Sequence, residues 1–414
     1  MVIDSLIYNG MCSCGKEHKM KTDFCIIESG CLKDIKKYTK KYNLTGFTVA
    51  VYDENTYQAT SDRHPDADTE IILPTENLHA NEHGVELLMN QLPEKTELLI
   101  AVGAGTVHDI VRYCAYSRGI DFVSCPTAAS VDGFCSSVAA MTWRGCKKTL
   151  TAVAPKIVVA DVDIIKNAPL RLTKSGFGDM IGKYVALADW KISSIITNEY
   201  YCERIADITL QATKLVEISV EDIFSGDEDA FEKLMYGLLL SGLAMQMIGN
   251  SRPASGAEHH ISHMIEMEPE GLSVHSDALH GEKVGVGTLL AIEEYHRIAS
   301  VGSNFSNYYE FDEETISKIF DKTKAVEILN ENQDDAAKNI TANLMAEHWS
   351  EICEEIKKLP EIEHLKNIYL KFNIKSCLQD IGVSDNKAKA LLDYSPSVRN
   401  RLTLMRLRKC ISED

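Results

Sequence analysis

Between residues 46 and 165, short and nearly continuous apolar runs alternate with segments whose apolar residues recur three and four positions apart. "GFTVAVYD" (46–53), "TEIILP" (69–74), "TELLIAVG" (96–103), "IDFVSCP" (120–126) and "PKIVVADVDII" (155–165) read as strands, and their lack of polar alternation suits strands covered on both faces. "HANEHGVELLMNQL" (79–92) and "TVHDIVRYCAYSRG" (106–119) carry helical spacing. Strand, helix and strand in turn predict a parallel sheet with right-handed crossovers. After "NAPLRLTKSG" (167–176) the pattern becomes long amphipathic segments with hardly a strand candidate. The expected architecture is an α/β domain over residues 1–167 and an all-α domain over 168–414. No internal repeat or low-complexity tract interrupts it, and "SGDEDAFE" (225–232) reads as a capped helix start.

Length supports two domains, because 414 residues exceed what one core organises. A net charge of −18 repels both a phosphate backbone and an anionic membrane, which argues against nucleic-acid or membrane partners. The most apolar window, residues 234–249, is shorter than the roughly 20 residues a membrane span needs. With no basic and apolar leader at the N-terminus, a cytoplasmic location is expected. Twelve scattered cysteines suit a reducing compartment rather than a disulfide framework. "CSCGKEH" (Cys12, Cys14, His18) has a metal-knuckle look, but its C-x-C spacing and the lack of a second paired half favour a turn carrying small thiols.

"LLIAVGAGTVHD" sets Gly103 and Gly105 between a strand and a helix, where backbone N–H groups and the helix dipole suit a diphosphate. The turn does not follow the first strand and lacks the third glycine of G-x-G-x-x-G, so an ordinary Rossmann fingerprint is not expected. Downstream, "CPTAASVDGFCSSVAAM" (125–141) offers Thr127, Ser130, Asp132 and Ser136 at the end of the next strand; a plain Ser/Thr turn followed by a packed helix is the competing reading. Asp53 ends an earlier strand, where an acid suits a ribose hydroxyl.

In "AEHHISH" (257–263), helical geometry puts His259 and His263 on one face and turns His260 about a quarter-turn away. "SGFGDMIGKY" places Asp179 at an apparent helix start, and "ALHGEKVGVG" does the same for His280. One carboxylate and two imidazoles bind a divalent transition metal and leave positions open. Each has a bland alternative: a cap for Asp179, a satisfied core residue for His259, a cap or packing for His280.

Together "GAGTVHD", "PTAASVDGFCSSVAAM", "ADVDIIKNAP", "SGFGDMIGKYVALADW", "SRPASGAEHHISH" and "HGEKVGVGTL" resemble the glycerol-1-phosphate dehydrogenases, in particular their bacterial AraM-like branch, within the superfamily of glycerol dehydrogenases and iron-dependent alcohol dehydrogenases. The resemblance runs from about residue 12 to about 300. It implies a nucleotide-binding α/β domain and a helical metal- and substrate-binding domain. It further implies a cytoplasmic, homodimeric or larger enzyme that reduces dihydroxyacetone phosphate reversibly to sn-glycerol 1-phosphate. Asp179, His259 and His280 would ligate one divalent ion, with nickel, zinc and iron all suited. His263 would contact substrate and carry a proton, and Asp132 would touch substrate. Gly103, Ala104, Gly105, Thr106 and Val107 would cradle the NAD(H) or NADP(H) diphosphate. Thr127, Ala128, Ala129, Ser130 and Ser136 would line the nicotinamide side, and Asp53 the adenosine end. His108, where many relatives carry Asn, borders the diphosphate turn. Arg252 and Lys183 are phosphate candidates only because they flank the ligand motifs.

Other readings remain: a glycerol or polyol dehydrogenase with the same ligands, a dehydroquinate-synthase-like cyclase that uses NAD transiently, and a non-catalytic metal-binding module.

Overall fold

The computed structural model describes residues 1–143, 146–301 and 304–412. Eleven strands occur among them: β1 (Val2–Asp4), β2 (Gly10–Met11), β3 (Glu17–His18), β4 (Phe24–Glu28), β5 (Phe47–Asp53), β6 (Thr69–Leu73), β7 (Thr96–Gly103), β8 (Asp121–Pro126), β9 (Val138–Trp143), β10 (Cys146–Thr151) and β11 (Ile157–Asp161). Seven form one sheet in the order β1-β4-β11-β8-β7-β5-β6, with β1 antiparallel at one edge and the rest parallel. All five strands expected from the apolar runs are present, although the last stops at Asp161 and passes into the short helix Val162–Ile165.

Side chains along β7 show why those runs lack polar alternation. Leu98, Ile100 and Val102 join one core cluster with Tyr52, Val123 and Val159. Leu99 and Ala101 face the opposite cluster, with Val51, Phe122, Ile110 and Val111. Both faces are dry there, so positions 98 to 102 are all apolar.

Strand order also locates the binding edge. After β5 the chain adds β6 on one side, then returns to place β7 on the other side of β5 and continues outward through β8 to β11. The order therefore reverses between β5 and β7, and in open α/β sheets such a switch point opens a crevice at the carboxyl ends of the strands. Asp53 ends β5 and Gly103 ends β7.

Two segments differ from expectation. "SSVAAM" enters the hairpin β9–β10 after a single 3-10 turn at Gly133–Cys135, so the packed helix of the competing reading is not formed. Asp179 lies in the last turn of the helix Leu170–Ile181 and not at a helix start. Gly176, three residues before it, serves packing: a Cβ there would come within 2.0 Å of the Ala129 carbonyl oxygen. The helix therefore meets the Thr127–Ser130 backbone directly, and Ser175 Oγ donates to Ser130 O at 3.1 Å.

The chain divides into two compact units, Met1–Met180 with Gln211–Asn250, and Ile181–Leu210 with Ser251–Asp414. The first holds the sheets and the buried helix Glu228–Ile248, which Asp227 caps by accepting from Ala230 N–H at 2.9 Å. The second is helical, with one isolated bridge between Phe305 and Ile411. Its longest helix, His280–Val301, begins at the predicted histidine. No helix among the described residues is long and apolar enough to cross a membrane, and no disulfide joins the described cysteines.

Gly176→Ala forces the helix away from the Ala129 carbonyl and should cost about 1–3 kcal/mol. Chemical denaturation should show a lower midpoint. Gly105→Ala is the control, because its Cβ would meet only Val131 Cγ2 at 3.9 Å; its midpoint should not fall.

Candidate active site

In the first unit the site begins with the turn after β7. Gly103 is dictated by packing, since a Cβ there would lie 2.6 Å from Val107 Cβ, and its carbonyl accepts from Thr127 N–H at 3.0 Å. The helix Gly105–Arg118 starts at Ala104 without a side-chain cap. Its first-turn N–H groups belong to Gly105, Thr106 and Val107, and a Cβ on Gly105 would meet only Val131 Cγ2 at 3.9 Å.

His108 fixes this turn from behind. Its ring is buried, with Nδ1 3.0 Å from Ala104 O and Nε2 2.8 Å from Ser124 Oγ. A carbonyl only accepts, so Nδ1 carries the proton and Nε2 accepts from the serine hydroxyl. Burial, reinforced by the nearby Arg112 guanidinium, pulls this imidazole down to about 3. Arg112 in turn donates to the carbonyls of Val138, Gly133 and Phe134 at 3.0, 2.7 and 3.1 Å, pinning the loop that follows Asp132.

Thr127, Ala128, Ala129 and Ser130 are all buried at the end of β8. Asp132 donates its N–H to Asp179 Oδ2 at 2.9 Å and accepts from Ser241 Oγ at 2.8 Å. Asp179 is fully buried. Ser136 is half-buried and bonds to its own loop: its hydroxyl donates to Val138 O at 2.8 Å and accepts from Val138 N–H at 3.0 Å. Asp53 caps the next helix, accepting from Thr56 N–H at 2.8 Å in a capping box. One of its oxygens is thereby engaged.

In the second unit the histidines converge. Ring centroids of His259 and His280 are 5.3 Å apart, and His263 lies 6.0 and 5.9 Å from them. Carboxylates stand behind the rings. Glu258 Oε1 lies 2.7 Å from His259 Nδ1 and accepts from Gly256 N–H at 2.8 Å. Burial pushes this carboxyl up to about 7. Glu266 reaches His280 Nδ1 at 3.0 Å and His263 Nδ1 at 3.4 Å. Burial opposes its ionisation, but His280 and His263 outweigh that and hold it well below the usual carboxylate range. An imidazole whose Nδ1–H faces a carboxylate turns its Nε2 lone pair outward, which is the preparation a metal-ligating histidine receives. His260 is buried on another face, and neither ring nitrogen has a hydrogen-bond partner among the described residues.

The start of the His259 helix is set by Asp189, fully buried in the helix Lys183–Thr197. Its Oδ2 accepts from Ala257 N–H at 2.8 Å, and its Oδ1 accepts from Leu404 N–H and Tyr295 OH, both at 2.7 Å. Arg252 is occupied: it forms an ion pair with Glu199 and donates to Leu402 O at 2.7 Å. Lys183 is fully buried and donates to Ala254 O at 3.1 Å.

Asp189, Glu266, Arg112 and Ser241 were not among the residues the sequence singled out. Asp189 and Ser241 had one signal, a polar residue inside an otherwise apolar helical run, in "VALADW" and "LLLSGLAM".

Comparison with known proteins follows the same lines. The model of the iron-containing alcohol dehydrogenase family matches residues 26–169. The fold is similar to that of a probable glycerol dehydrogenase from Sinorhizobium meliloti, with a TM-score of 0.55 at 17% identity, covering 90% of this chain and 98% of that one. Sheet order, helical second unit and these likenesses define the fold of the glycerol and iron-containing alcohol dehydrogenases. Within it, the glycerol-1-phosphate dehydrogenase of Bacillus licheniformis is 36% identical over 76% of this chain and 79% of its own length. That of Geobacillus thermodenitrificans is 44% identical over 54% of this chain and 55% of its own. The chain belongs to the glycerol-1-phosphate dehydrogenase family.

His108 provides a pH test. Between its ordinary value of 6.5 and its folded value of about 3, the unfolded chain binds a proton that the folded one refuses. Stability is therefore lost as pH falls through that window, by about 1.4 kcal/mol per pH unit for this group. His108→Gln should flatten the stability profile between pH 6 and 4 by that slope; unchanged slopes would mean that the ring is not held neutral.

Proposed function

We propose that this chain is a metal-dependent dehydrogenase that uses NADH or NADPH to reduce dihydroxyacetone phosphate reversibly to sn-glycerol 1-phosphate. The observation that carries this reading is family membership, resting on likeness along 79% of the B. licheniformis relative. Asp179, His259 and His280 would be the donor set that the family resemblance implies, and a carboxylate with two imidazoles fits a divalent transition ion such as nickel, zinc or iron. Glu258 and Glu266 support this fit by fixing Nδ1 of the two histidines as the protonated nitrogen. When bound, the ion supplies electrophilic stabilisation of the negative charge that develops on the substrate oxygen as hydride arrives.

The remaining work falls to the chain. Gly103, Ala104, Gly105, Thr106 and Val107 cradle the dinucleotide diphosphate on main-chain N–H groups. Thr127 to Ser130 and Ser136 line the nicotinamide side, and Asp53 takes the adenosine end with its second carboxylate oxygen. Asp132, oriented by Ser241, positions the substrate. His263 turns Nδ1 toward Glu266, so its Nε2 takes the hydroxyl proton of glycerol phosphate in oxidation and returns it in reduction. Arg252 is spent on Glu199, so the substrate phosphate needs another donor, and buried Lys183 is the cation nearest in sequence to Asp179.

Oxidation of NADH should be measured after metal stripping, with Ni2+, Zn2+ and Fe2+ restored one at a time. Consumption with dihydroxyacetone phosphate, restored by at least one ion, is expected. A preference for unphosphorylated dihydroxyacetone, or full turnover without metal, would overturn the assignment.

Asp179→Asn and His280→Ala should each lower kcat/KM by about a hundredfold to a thousandfold, the scale seen when one charge-stabilising element is removed. His263→Ala should keep its metal, as read by elemental analysis, and lose about 10²- to 10⁴-fold in kcat. Loss of the ion from that variant would make His263 a ligand instead.

A further inference from the structure

The hairpin β2–β3 gathers a second set of donors that the reaction above does not use. Its register pairs Gly10 with His18 and Met11 with Glu17. The connecting turn is tight: Cys12 N–H donates to Lys16 O at 2.9 Å, Gly15 N–H donates to Cys12 O at 3.0 Å, and Gly15 adopts a φ of +85°. Closure of this turn returns His18 to the cysteines. The Sγ atoms of Cys12 and Cys14 and a ring nitrogen of His18 lie within 4.8 Å of one another, and Cys14 Sγ is 3.3 Å from His18 Nε2.

The orientation of the imidazole distinguishes this cluster from apolar filling. His18 is 2% exposed and Cys12 8%. His18 Nδ1 lies 3.0 Å from Met247 O. A carbonyl only accepts, so Nδ1 carries the ring proton and the Nε2 lone pair points at the thiols. That tautomer, fixed by a backbone carbonyl, is the one imposed on metal-ligating histidines. Two small thiols serving as hydrophobes need no such fixed lone pair.

We propose that Cys12, Cys14 and His18 form a second metal site, separate from the Asp179, His259 and His280 set, for a thiolate-preferring divalent ion such as zinc. Binding replaces the two thiol protons, forming two metal–sulfur bonds and one metal–nitrogen bond and releasing two protons to solvent. A further thiolate or a water completes the tetrahedron. The role is a clamp. Met247 and Gln246 lie at the end of the helix Glu228–Ile248, and the Gln246 side chain accepts from Lys21 and Thr22 N–H at 2.7 and 3.1 Å and donates to Thr22 Oγ1 at 2.9 Å. An ion on the hairpin would rigidify the segment that already grips this helix.

The test uses metal content and thiol chemistry, so it stands whether or not the chain reduces dihydroxyacetone phosphate. Full-length Asp179→Asn, purified under reductant and loaded with Zn2+, should retain one equivalent of zinc, and Asp179→Asn/Cys14→Ser should retain none. Zinc-edge absorption of the single variant should show sulfur at about 2.3 Å. A shell of nitrogen and oxygen alone, or equal zinc in both variants, would overturn the proposal. Should Cys14→Ser fail to fold, the unsubstituted protein decides: Zn2+ should slow alkylation of Cys12 and Cys14 at least tenfold by mass spectrometry, and equal rates with and without zinc would overturn it.

Discussion

One carboxylate organises the second unit. Asp189 lies inside a helix in an otherwise apolar run, and three donors from three other parts of the unit converge on its two oxygens. One is the first N–H of the helix bearing His259, one the hydroxyl of a tyrosine on the helix that His280 begins, and one the backbone of the C-terminal segment. A buried carboxylate is tolerated only when its lone pairs are met. Burial still pushes this acid up to about 7, so the arrangement carries a cost that the three donors offset. What the cost yields is a fixed origin for both histidine-bearing helices, on which the 5.3 Å spacing of His259 and His280 depends.

The same logic recurs at shorter range. Glu258 and Glu266 each stand behind an imidazole, so backbone, carboxylate and ring are determined in sequence, and the outward nitrogens inherit their direction. In the first unit a contact without any side chain does comparable work. The helix carrying Asp179 can approach Ala129 only because residue 176 has no Cβ, and the acid then meets the N–H of Asp132.

The alternation of buried strands and amphipathic helices was readable because both faces of the sheet are dry and the helices need one apolar stripe. Periodicity alone therefore gave β5 to β8 and the helices between them, and the two glycines marked the turn at the switch point. Strands β1 and β4 lie in segments whose flanking cysteines and charges mask any run, and β9 carried no strand signal, only the packed helix of a competing reading, because alanines and serines favour strands weakly. For the histidines, i, i+4 spacing placed His259 beside His263, but nothing local could reveal which carboxylate stands behind each ring. Asp189 is separated from Leu404 by 215 positions, a partnership that no window of sequence contains.

His108 has a consequence for what the turn after β7 can offer a ligand. Both ring nitrogens are consumed internally, one by the turn's own carbonyl and one by Ser124, so the ring offers nothing to a ligand and serves as scaffolding. The turn then presents main-chain amides, which register the shape and charge of a diphosphate but are blind to what hangs from the ribose beyond it. Under the proposed function, telling two dinucleotides apart would fall to the β5 end, where Asp53 caps a helix with one carboxylate oxygen and would meet a sugar hydroxyl with the other. On that reading affinity and discrimination would rest on different strands, and selection could alter one without disturbing the other.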